Sequence, residues 1–452
     1  MKYTNIEDVK ENVLELLENK KFAEIKPLIN DLNPADIAVL FGSVDQAEVP
    51  ILFRLLNKET AAETFSYMET DKQKDLITAF SDFELRVVIE NLFMDDTVDI
   101  IEEMPANVVN KILRIITPER RKQINELLNY PDDSAGSIMT TEYIALKKDL
   151  TVEEAFKKIK KEGVNKETIY TCYVIENRKL IGTVTVKDLL LAEGDEKIED
   201  IMKSHLIFVT THEDQEKVAN MFNKYDLLAL PVVDKEERLV GIITVDDAMQ
   251  VLQEESTEDI EAMAAILPSD KSYMKTGVIE TWKKRIPWLL LLMISATFTG
   301  KIIGHYEEAL GSLTILTAFI PMLMDTGGNA GSQSSVTIIR SLSMDEIRFK
   351  DIFKVIWKEL RVAFLCAATL FAATLAKILI VDTRRIDIAL VVATTLAFAV
   401  VVAKLIGCTL PIIVKKLGFD PAVMVSPFIT TLVDALSLII YFSIAVNFLP
   451  EL

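Results

Sequence analysis

The chain has 452 residues, with 49 Lys and Arg against 68 Asp and Glu, and a net charge of −19 at pH 7. An acidic balance of this size argues against nucleic acid as a partner and favours cations. The three cysteines, Cys172, Cys366 and Cys408, are far apart, which excludes a disulfide framework and a zinc motif. Residues 1–270 carry a net charge of −24 and residues 271–452 one of +5, so the composition predicts two unlike parts.

Residues 1–130 carry short apolar clusters, for example at 51–53 and 108–109, that recur roughly every dozen residues. Helices this short are stable only when they are stacked, so the pattern predicts an all-α solenoid N-domain. Within it, Asp95 and Asp99 lie four apart on one helix face, which indicates either a cation site or a solvated acidic face. The first 21 residues are acidic and do not resemble a signal peptide, so we expect this domain in the cytosol.

An internal repeat begins near residue 131. The segment LIGTVTVKDL at 180–189 returns as LVGIITVDDA at 239–248, each copy with a strand before it and a helix after it. This double copy resembles a tandem pair of cystathionine-β-synthase (CBS) domains over 131–253, an α/β module. The resemblance implies a dimerising module that often binds adenine nucleotide, with Tyr170, Lys187 and Asp188 at the adenine and ribose positions. A module that only dimerises remains the alternative.

A connecting helix is predicted at 254–285, which begins with a crowd of carboxylates and ends with Trp and three basic residues at 282–285, the signature of a cytosolic membrane interface. Five membrane helices are predicted in the pore domain, residues 286–452. Their expected positions are 286–304, 312–339 with an interruption, 356–381, 386–414 and 421–449. Lys301, Lys377 and Lys404 are expected to reach the span ends. The loop charges place the N-terminal domains in the cytosol.

The last span holds 28 residues, 422–449, with the single charge Asp434. Ser426, Thr430, Ser437 and Tyr441 share its helix face, so the spacing predicts a polar stripe through the membrane. Charges inside a membrane are costly and mostly functional, which favours an ion path at Asp434; the alternative is a buried structural carboxylate.

The second span carries PMLMDTGGNAGSQ at 321–333. Its glycines predict a broken helix whose freed carbonyls, with Asp325, Gly328 and Asn329, line a cavity. Glycines could instead allow close helix packing. The triplet at 325–327 also spells an aspartic-protease motif, but Asp434 is followed by Ala435 and no second triplet exists.

The order of these modules, with PMLMDTGGNAGSQ and TTLVDALS in the membrane, resembles the MgtE magnesium channel family over essentially the full length. The resemblance implies a homodimer in the cell (inner) membrane that is not an enzyme, with magnesium at Asp434 and magnesium-sensing cytosolic domains that close the pore. The further magnesium contacts that it implies are Asp95, Asp99, Gly136, Asp214, Glu216, Asn223, Asp226, Asp247, Glu255, Glu258, Asp259 and Asp420.

Two residues depart from the family pattern. Gln250 stands where an acid is expected, which weakens the site between the CBS pair and the connecting helix, and Lys187 stands in place of an arginine at the ATP site. A carrier of Mn²⁺ or Co²⁺ would share these gross features. A path with oxygen ligands and without His or Cys favours Mg²⁺ over softer ions.

Overall fold

The computed structural model describes residues 6–269, 273–274, 276–306, 314–344, 346–381 and 385–449. By its internal contacts the chain divides into two compact units, 1–252 and 253–452, which we treat separately. The first unit combines a helical domain with two small sheets, and the second is helical wherever it is described in regular structure. The multidomain membrane architecture expected from the sequence is confirmed.

Ten short helices form the N-terminal domain. Alternate helices pack on one another in a row, α3 on α5, α5 on α7 and α7 on α9, and a continuous core of Ile, Leu, Val and Phe runs through the stack. Side-chain caps at Asn33, Ser81 and Thr117 satisfy backbone donors where α3, α7 and α10 begin. The helices are α1 (Ile6–Glu18), α2 (Phe22–Asn30), α3 (Pro34–Gly42), α4 (Val49–Phe53), α5 (Lys58–Ser66), α6 (Thr70–Ala79), α7 (Asp82–Asn91), α8 (Met94–Glu103), α9 (Ala106–Ile115) and α10 (Pro118–Leu127).

The repeated segment folds into two copies of one motif. Each copy has a three-stranded sheet, with the first pair of strands parallel, the second pair antiparallel and a register shift at the same place. The elements are β1 (Ala145–Lys147), α11 (Val152–Glu162), β2 (Thr171–Glu176), β3 (Lys179–Thr185), α12 (Val186–Leu191), α13 (Ile198–Ile201), β4 (Val209–Thr210), α14 (Gln215–Tyr225), β5 (Ala229–Val233), β6 (Leu239–Thr244) and α15 (Val245–Met263).

The glycine repeated in each copy has a packing reason. A Cβ at Gly182 would lie 2.6 Å from Met202 Sδ, and one at Gly241 would lie 2.6 Å from Met139 Sδ. Each glycine therefore makes room for the methionine that leads into the opposite copy. This reciprocal contact explains why the glycine and the methionine recur together in the sequence.

The described part of the second unit contains five long helices. They are α16 (Val278–His305), α17 (Ile320–Ser343), α18 (Ile352–Ile380), α19 (Ile386–Lys416) and α20 (Pro421–Phe448). Among the described residues, four helical segments, all except α17, are long and apolar enough to cross a membrane. The first span begins earlier than expected, at Val278 instead of 286. The connecting helix predicted at 254–285 is not one helix, because α15 ends at Met263 and α16 begins at Val278.

The predicted break in the second span is wrong. α17 runs without interruption from Ile320 to Ser343, preceded by a 3₁₀ segment, Thr314–Phe319. The helix survives its glycines because they are packed: a Cβ at Gly407 of α19 would lie 2.2 Å from Gly331 O. Close approach of neighbouring helices, the alternative reading of these glycines, is what the structure contains. The carbonyls of the motif therefore belong to a continuous helix.

Candidate ion path and metal-binding clusters

Asp434 faces the glycine motif of α17. Its side chain is half-buried, and a Cβ at Gly328 would lie 3.9 Å from Asp434 Oδ1 and 3.8 Å from Thr430 Cγ2. Asp325 is close enough to act on Asp434 through its charge. Gly328, Thr430, Asp325 and Asp434 are therefore brought together, whereas Ser426 lies outside the described side chains. The absence of a side chain at Gly328 leaves space beside the carboxylate.

The polar stripe predicted along α20 changes character toward its end. Ser437 is 1% exposed and Tyr441 is fully buried. Tyr441 donates a hydrogen bond to Leu316 O at 3.0 Å, so its role is in packing. On α17, by contrast, Asp325, Asn329 and Gln333 follow at intervals of four and are exposed. A single chain thus presents a row of exposed polar side chains along α17.

Three carboxylates converge in the first unit, one from α8 and two from loops of the first CBS copy. Asp95, Glu142 and Glu167 each place one carboxylate oxygen within 4.8 Å of the others. Asp95 is 8% exposed. Met94 N donates to Glu142 Oε2 at 2.9 Å. Glu167 Oε2 is buried without a hydrogen-bond partner among the described residues. We call Asp95, Glu142 and Glu167 the carboxylate triad; hard oxygen ligands of this kind suit Mg²⁺.

Burial and mutual repulsion make these acids hard to ionise. Burial, then the charge of Asp247, raises the pKa of Asp95 well above its ordinary value. The same two causes raise the pKa of Glu167 to about 8 and that of Asp96 to about 7. The pKa of Glu142 is also raised by burial, although its hydrogen bonds and nearby cations offset part of the effect. A divalent cation would relieve this repulsion.

Two more predicted residues belong to the same acidic region. Burial raises the pKa of Asp247 to about 6, against hydrogen bonds from Thr244 that lower it. Loss of water around the Asp99 carboxylate, followed by the charge of Asp96, raises the pKa of Asp99 to about 7. The Asp99 side chain is nevertheless exposed to solvent, and water screens part of that effect. Asp99 is therefore a peripheral member and the triad is the centre.

The predicted ligands on α14 separate into two ends. Asp214 caps the start of the helix, accepting from Lys217 N at 3.1 Å, and Glu216 follows it. Asn223 is exposed near the other end, and Asp226 terminates the helix in a left-handed conformation with φ 51°. The eleven residues of α14 lie between Asp214 and Asp226, and the twelve steps of helical rise separate the two aspartates by about 18 Å. One ion cannot touch both ends of this helix within one chain.

Gly136 lies beside the first of these two ends. Gly136 N donates to Thr211 O at 2.9 Å, and Ser134 pairs with Asp214 as an isolated bridge. A Cβ at Gly136 would lie 2.5 Å from the Tyr130 ring, so only glycine fits this position. The structure thus brings the Gly136 and Asp214 segments together.

A further acidic group lies in the second unit. Burial, followed by the charges of Asp420 and Glu255, raises the pKa of Asp259 to about 6, while Lys415 lowers it. Asp420 caps α20, accepting from Ala422 N at 2.8 Å. Glu258, also predicted as a ligand, is exposed on α15. Asp259 therefore lies close enough to Asp420, at the start of the helix that carries Asp434, for the two charges to interact.

The predicted nucleotide residues cluster at the start of α12. Val186 N donates to Tyr170 O at 3.0 Å, which holds the exposed Tyr170 beside Lys187 and Asp188. Asp188 Oδ2 accepts from Thr185 Oγ1 at 2.6 Å and lies 3.7 Å from Lys203 Nζ. The aromatic ring, the lysine and the carboxylate are a reasonable set for a base, a phosphate and a ribose.

Sequence reasoning missed Glu142 and Glu167. Both lie in loops of the first CBS copy, remote in sequence from Asp95. Helical spacing identifies residues on one face of one helix, and it carries no signal for carboxylates brought together by the packing of two domains. Their one local clue is acidic character next to the repeat.

Comparisons with known proteins cover all of these parts. The family profile described as "MgtE: Divalent cation transporter" matches residues 320–444, that of the MgtE intracellular N domain matches 32–133, and the CBS domain matches 135–195 and 198–254. The chain is 33% identical over 436 residues to the magnesium transporter MgtE of Thermus thermophilus, covering 95% of this chain and 96% of the relative. It is 32% identical over 441 residues to that of Bacillus subtilis, covering 97% of each.

Two solved structures resemble the soluble part. The soluble part of a magnesium transporter matches with a TM-score of 0.53 and 30% identity, over 56% of this chain and all (100%) of that structure. The cytosolic domain of the Mg²⁺ channel MgtE in complex with ATP matches with a TM-score of 0.51 and 31% identity, over 54% of this chain and 99% of that structure. With relatives matched over nearly their whole length, this chain belongs to the MgtE family of divalent cation transporters, which are membrane proteins and not enzymes.

Proposed function

We propose that this protein conducts Mg²⁺ across the cell membrane along a path that includes Asp434. The observation that carries the proposal is the meeting of Asp434 with Gly328 and Thr430 in a membrane helix bundle. A carboxylate at mid-membrane costs about 2.5–3.5 kcal/mol on insertion scales, so it needs water, a cation or a partner. Mg²⁺ sheds its water reluctantly, and a roomy site with one carboxylate suits a largely hydrated ion.

The path is completed by a second copy of the chain. Asp325, Asn329 and Gln333 are exposed along α17 of a single chain, and such a row is unfavourable against lipid. Pairing two chains along this row would enclose the polar side chains and bring two Asp434 carboxylates toward one axis. Those two carboxylates repel when the path is empty, and a divalent cation removes the repulsion.

Magnesium also acts as the regulator in this proposal. The carboxylate triad and its neighbours are held in a state where ionisation is unfavourable, and a bound cation favours the compact arrangement of the acidic domains. Compaction closes the path when cytosolic Mg²⁺ is high. The remaining predicted ligands contribute in the same way, Gly136, Asp214 and Glu216 at one end of α14, Asn223 and Asp226 at the other, and Glu255, Glu258, Asp259 and Asp420 in the second unit.

Adenine nucleotide is the second proposed ligand of the cytosolic part. A related cytosolic domain has been solved with ATP, and Tyr170, Lys187 and Asp188 lie together at the start of α12. Stacking on Tyr170 would hold the base, and the Lys187 ammonium would meet a phosphate as a point charge.

Uptake of Mg²⁺ into proteoliposomes tests the transport proposal. The full-length protein should take up Mg²⁺, and Asp434→Asn, which keeps the shape and removes the charge, should abolish uptake. Asp387→Asn is the matched control, since Asp387 lies in the first turn of another membrane helix, α19, and forms an ion pair with Arg385. Equal uptake by the Asp434→Asn variant would contradict the proposal. Competition by Mn²⁺ and Co²⁺ decides between magnesium and a softer ion.

A further inference from the structure

Lys404 is a membrane lysine that lies outside the ion path and is buried between three helices. It was expected to reach the span end, but it stands in the middle part of α19 and is 6% exposed. Lys404 Nζ donates to Ser334 Oγ of α17 at 3.2 Å, and Ser334 Oγ donates to Glu359 Oε2 of α18 at 2.8 Å. We call Lys404, Ser334 and Glu359 the lysine clamp.

The hydrogen-bonding groups of the lysine clamp match one another. A serine hydroxyl has one hydrogen to donate and lone pairs that accept, so Ser334 can serve the ammonium and the carboxylate at once. Ser334 is 3% exposed, and its hydroxyl bridges two opposite charges into a neutral whole. Charged side chains inside a membrane bundle persist when they are paired in this way. Removal of one partner leaves the other charge buried and uncompensated.

The clamp lies next to a close crossing of α17 and α19. Gly331 is one turn from Ser334 on α17, and Gly407 is one turn from Lys404 on α19. A Cβ at Gly407 would lie 2.2 Å from Gly331 O, so the two backbones touch there. Small residues permit this approach but do not fix how far one helix slides or rotates on the other. A charged hydrogen-bond chain beside the crossing supplies that restraint.

One turn before Gly331, α17 also faces the ion path. A Cβ at Gly327 would lie 3.0 Å from Ser437 Oγ of α20, and Gly328 faces Asp434. The glycine face of α17 therefore packs against both α19 and α20, and a Cβ at Gly331 would meet Ala403 O of α19 at 3.3 Å and Ile429 of α20 at 3.0 Å. Any rotation or sliding of α17 against α19 changes the space between Gly328 and Asp434.

We propose that Lys404, Ser334 and Glu359 are positioning residues for ion selection, because they fix the pose in which α17 presents Gly328 to Asp434. The three side chains are joined to one another by hydrogen bonds through Ser334. The inference rests on the proposed ion path at Asp434, and it adds a group of residues whose effect on selectivity is exerted through the pose of a helix.

The test uses full-length protein in proteoliposomes and two quantities that do not depend on how many channels are folded. These are the ratio of Mg²⁺ to Na⁺ uptake and the Mg²⁺ concentration that gives half-maximal uptake. Lys404→Met and Ser334→Ala should each lower the ratio by about tenfold, which corresponds to about 1.4 kcal/mol of lost discrimination. Ser334→Thr keeps the hydroxyl and should keep the parent ratio. Lys301→Met, on the exposed α16, is the matched control.

The double variant Lys404→Met with Glu359→Gln separates positioning from folding. It removes both charges, so its thermal stability in detergent should exceed that of Lys404→Met alone. Its Mg²⁺ to Na⁺ ratio should stay low, because the restraint is still missing. The inference would be overturned if Ser334→Ala and the double variant both kept the parent Mg²⁺ to Na⁺ ratio and the parent half-maximal Mg²⁺ concentration, and only their total uptake were reduced. A parent protein without Mg²⁺ uptake would instead overturn the proposed function, and this inference with it.

Discussion

Replacing Glu167 by Gln should have opposite effects on the metal-free and the magnesium-bound protein. Burial and the charges of Asp247 and Asp96 raise the pKa of Glu167 from 4.5 to about 8. At pH 7 the folded protein therefore holds a proton that the unfolded chain has released. The ordinary pKa of 4.5 and the working pH of 7 differ by about 2.5 pH units. At 1.36 kcal/mol per unit, the raised pKa of Glu167 lowers the free energy of unfolding by about 3 kcal/mol.

Gln has the shape of Glu and no charge, so the variant escapes this cost. Neighbouring carboxyls redistribute protons among themselves, which lowers the expected gain to about 1–3 kcal/mol. In the presence of Mg²⁺ the same change removes a proposed ligand from the carboxylate triad. With Mg²⁺ bound, the amides of the variant should be less protected from exchange than those of the parent. The variant should also need a higher Mg²⁺ concentration to become compact.

Hydrogen–deuterium exchange of full-length protein in detergent at pH 7 measures both effects. The amides of α8, which carries Asp95, should exchange about 5- to 100-fold more slowly in Glu167→Gln than in the parent without Mg²⁺, where each 1.4 kcal/mol is a factor of about ten. Glu119→Gln, an exposed carboxylate on α10, is the control and should change little. Faster exchange in the metal-free variant would refute the reasoning, because it would mean that Glu167 stabilises the fold as a charged partner.

Three further predictions follow from the structure. The raised carboxyl pKa values make the folded metal-free cluster bind more protons than the unfolded chain between about pH 4 and 8, so the free energy of unfolding falls as pH rises through that window. The amides of α8 should therefore exchange faster at pH 8 than at pH 6, after correction for intrinsic exchange rates. The difference should be smaller in the presence of Mg²⁺. Gly407→Ala should destabilise the membrane bundle by about 1–3 kcal/mol or more and lower its melting temperature in detergent, whereas Gly300→Ala, which meets nothing within 4 Å, should not. Asp259→Asn should raise several-fold the cytosolic Mg²⁺ needed for half-closure, measured as flux inhibition, and leave flux without cytosolic Mg²⁺ unchanged.

The sequence predicted the modules and the principal membrane carboxylate for identifiable reasons. The CBS pair left a literal repeat, because the contacts of Gly182 with Met202 and of Gly241 with Met139 constrain the same positions twice. A single charge in a long apolar run made Asp434 conspicuous. Both signals are local in sequence, and both follow from rules on which residues a strand or a membrane helix tolerates.

What the sequence could not supply depends on contacts between distant segments. The glycines of α17 were expected to break the helix, but whether they do is decided by the helices packed against them, as at Gly331 and Gly407. Lys404 was expected to reach the membrane surface, but hydrogen bonds through Ser334 to Glu359 hold it inside the helix bundle. Glu142 and Glu167 join Asp95 only because two domains pack together. The periodicity of apolar residues indicates which face of one helix or strand is buried, but it does not identify the segments that pack against that face.

Mg²⁺ flux into proteoliposomes as cytosolic-side Mg²⁺ is titrated, for the parent, Asp434→Asn and Asp95→Asn, tests the account most directly. The parent should conduct Mg²⁺ and close as cytosolic Mg²⁺ rises, Asp434→Asn should conduct at no concentration, and Asp95→Asn should conduct but close only at higher Mg²⁺. Normal conduction by Asp434→Asn would contradict the central claim, because the path would then have to lie elsewhere.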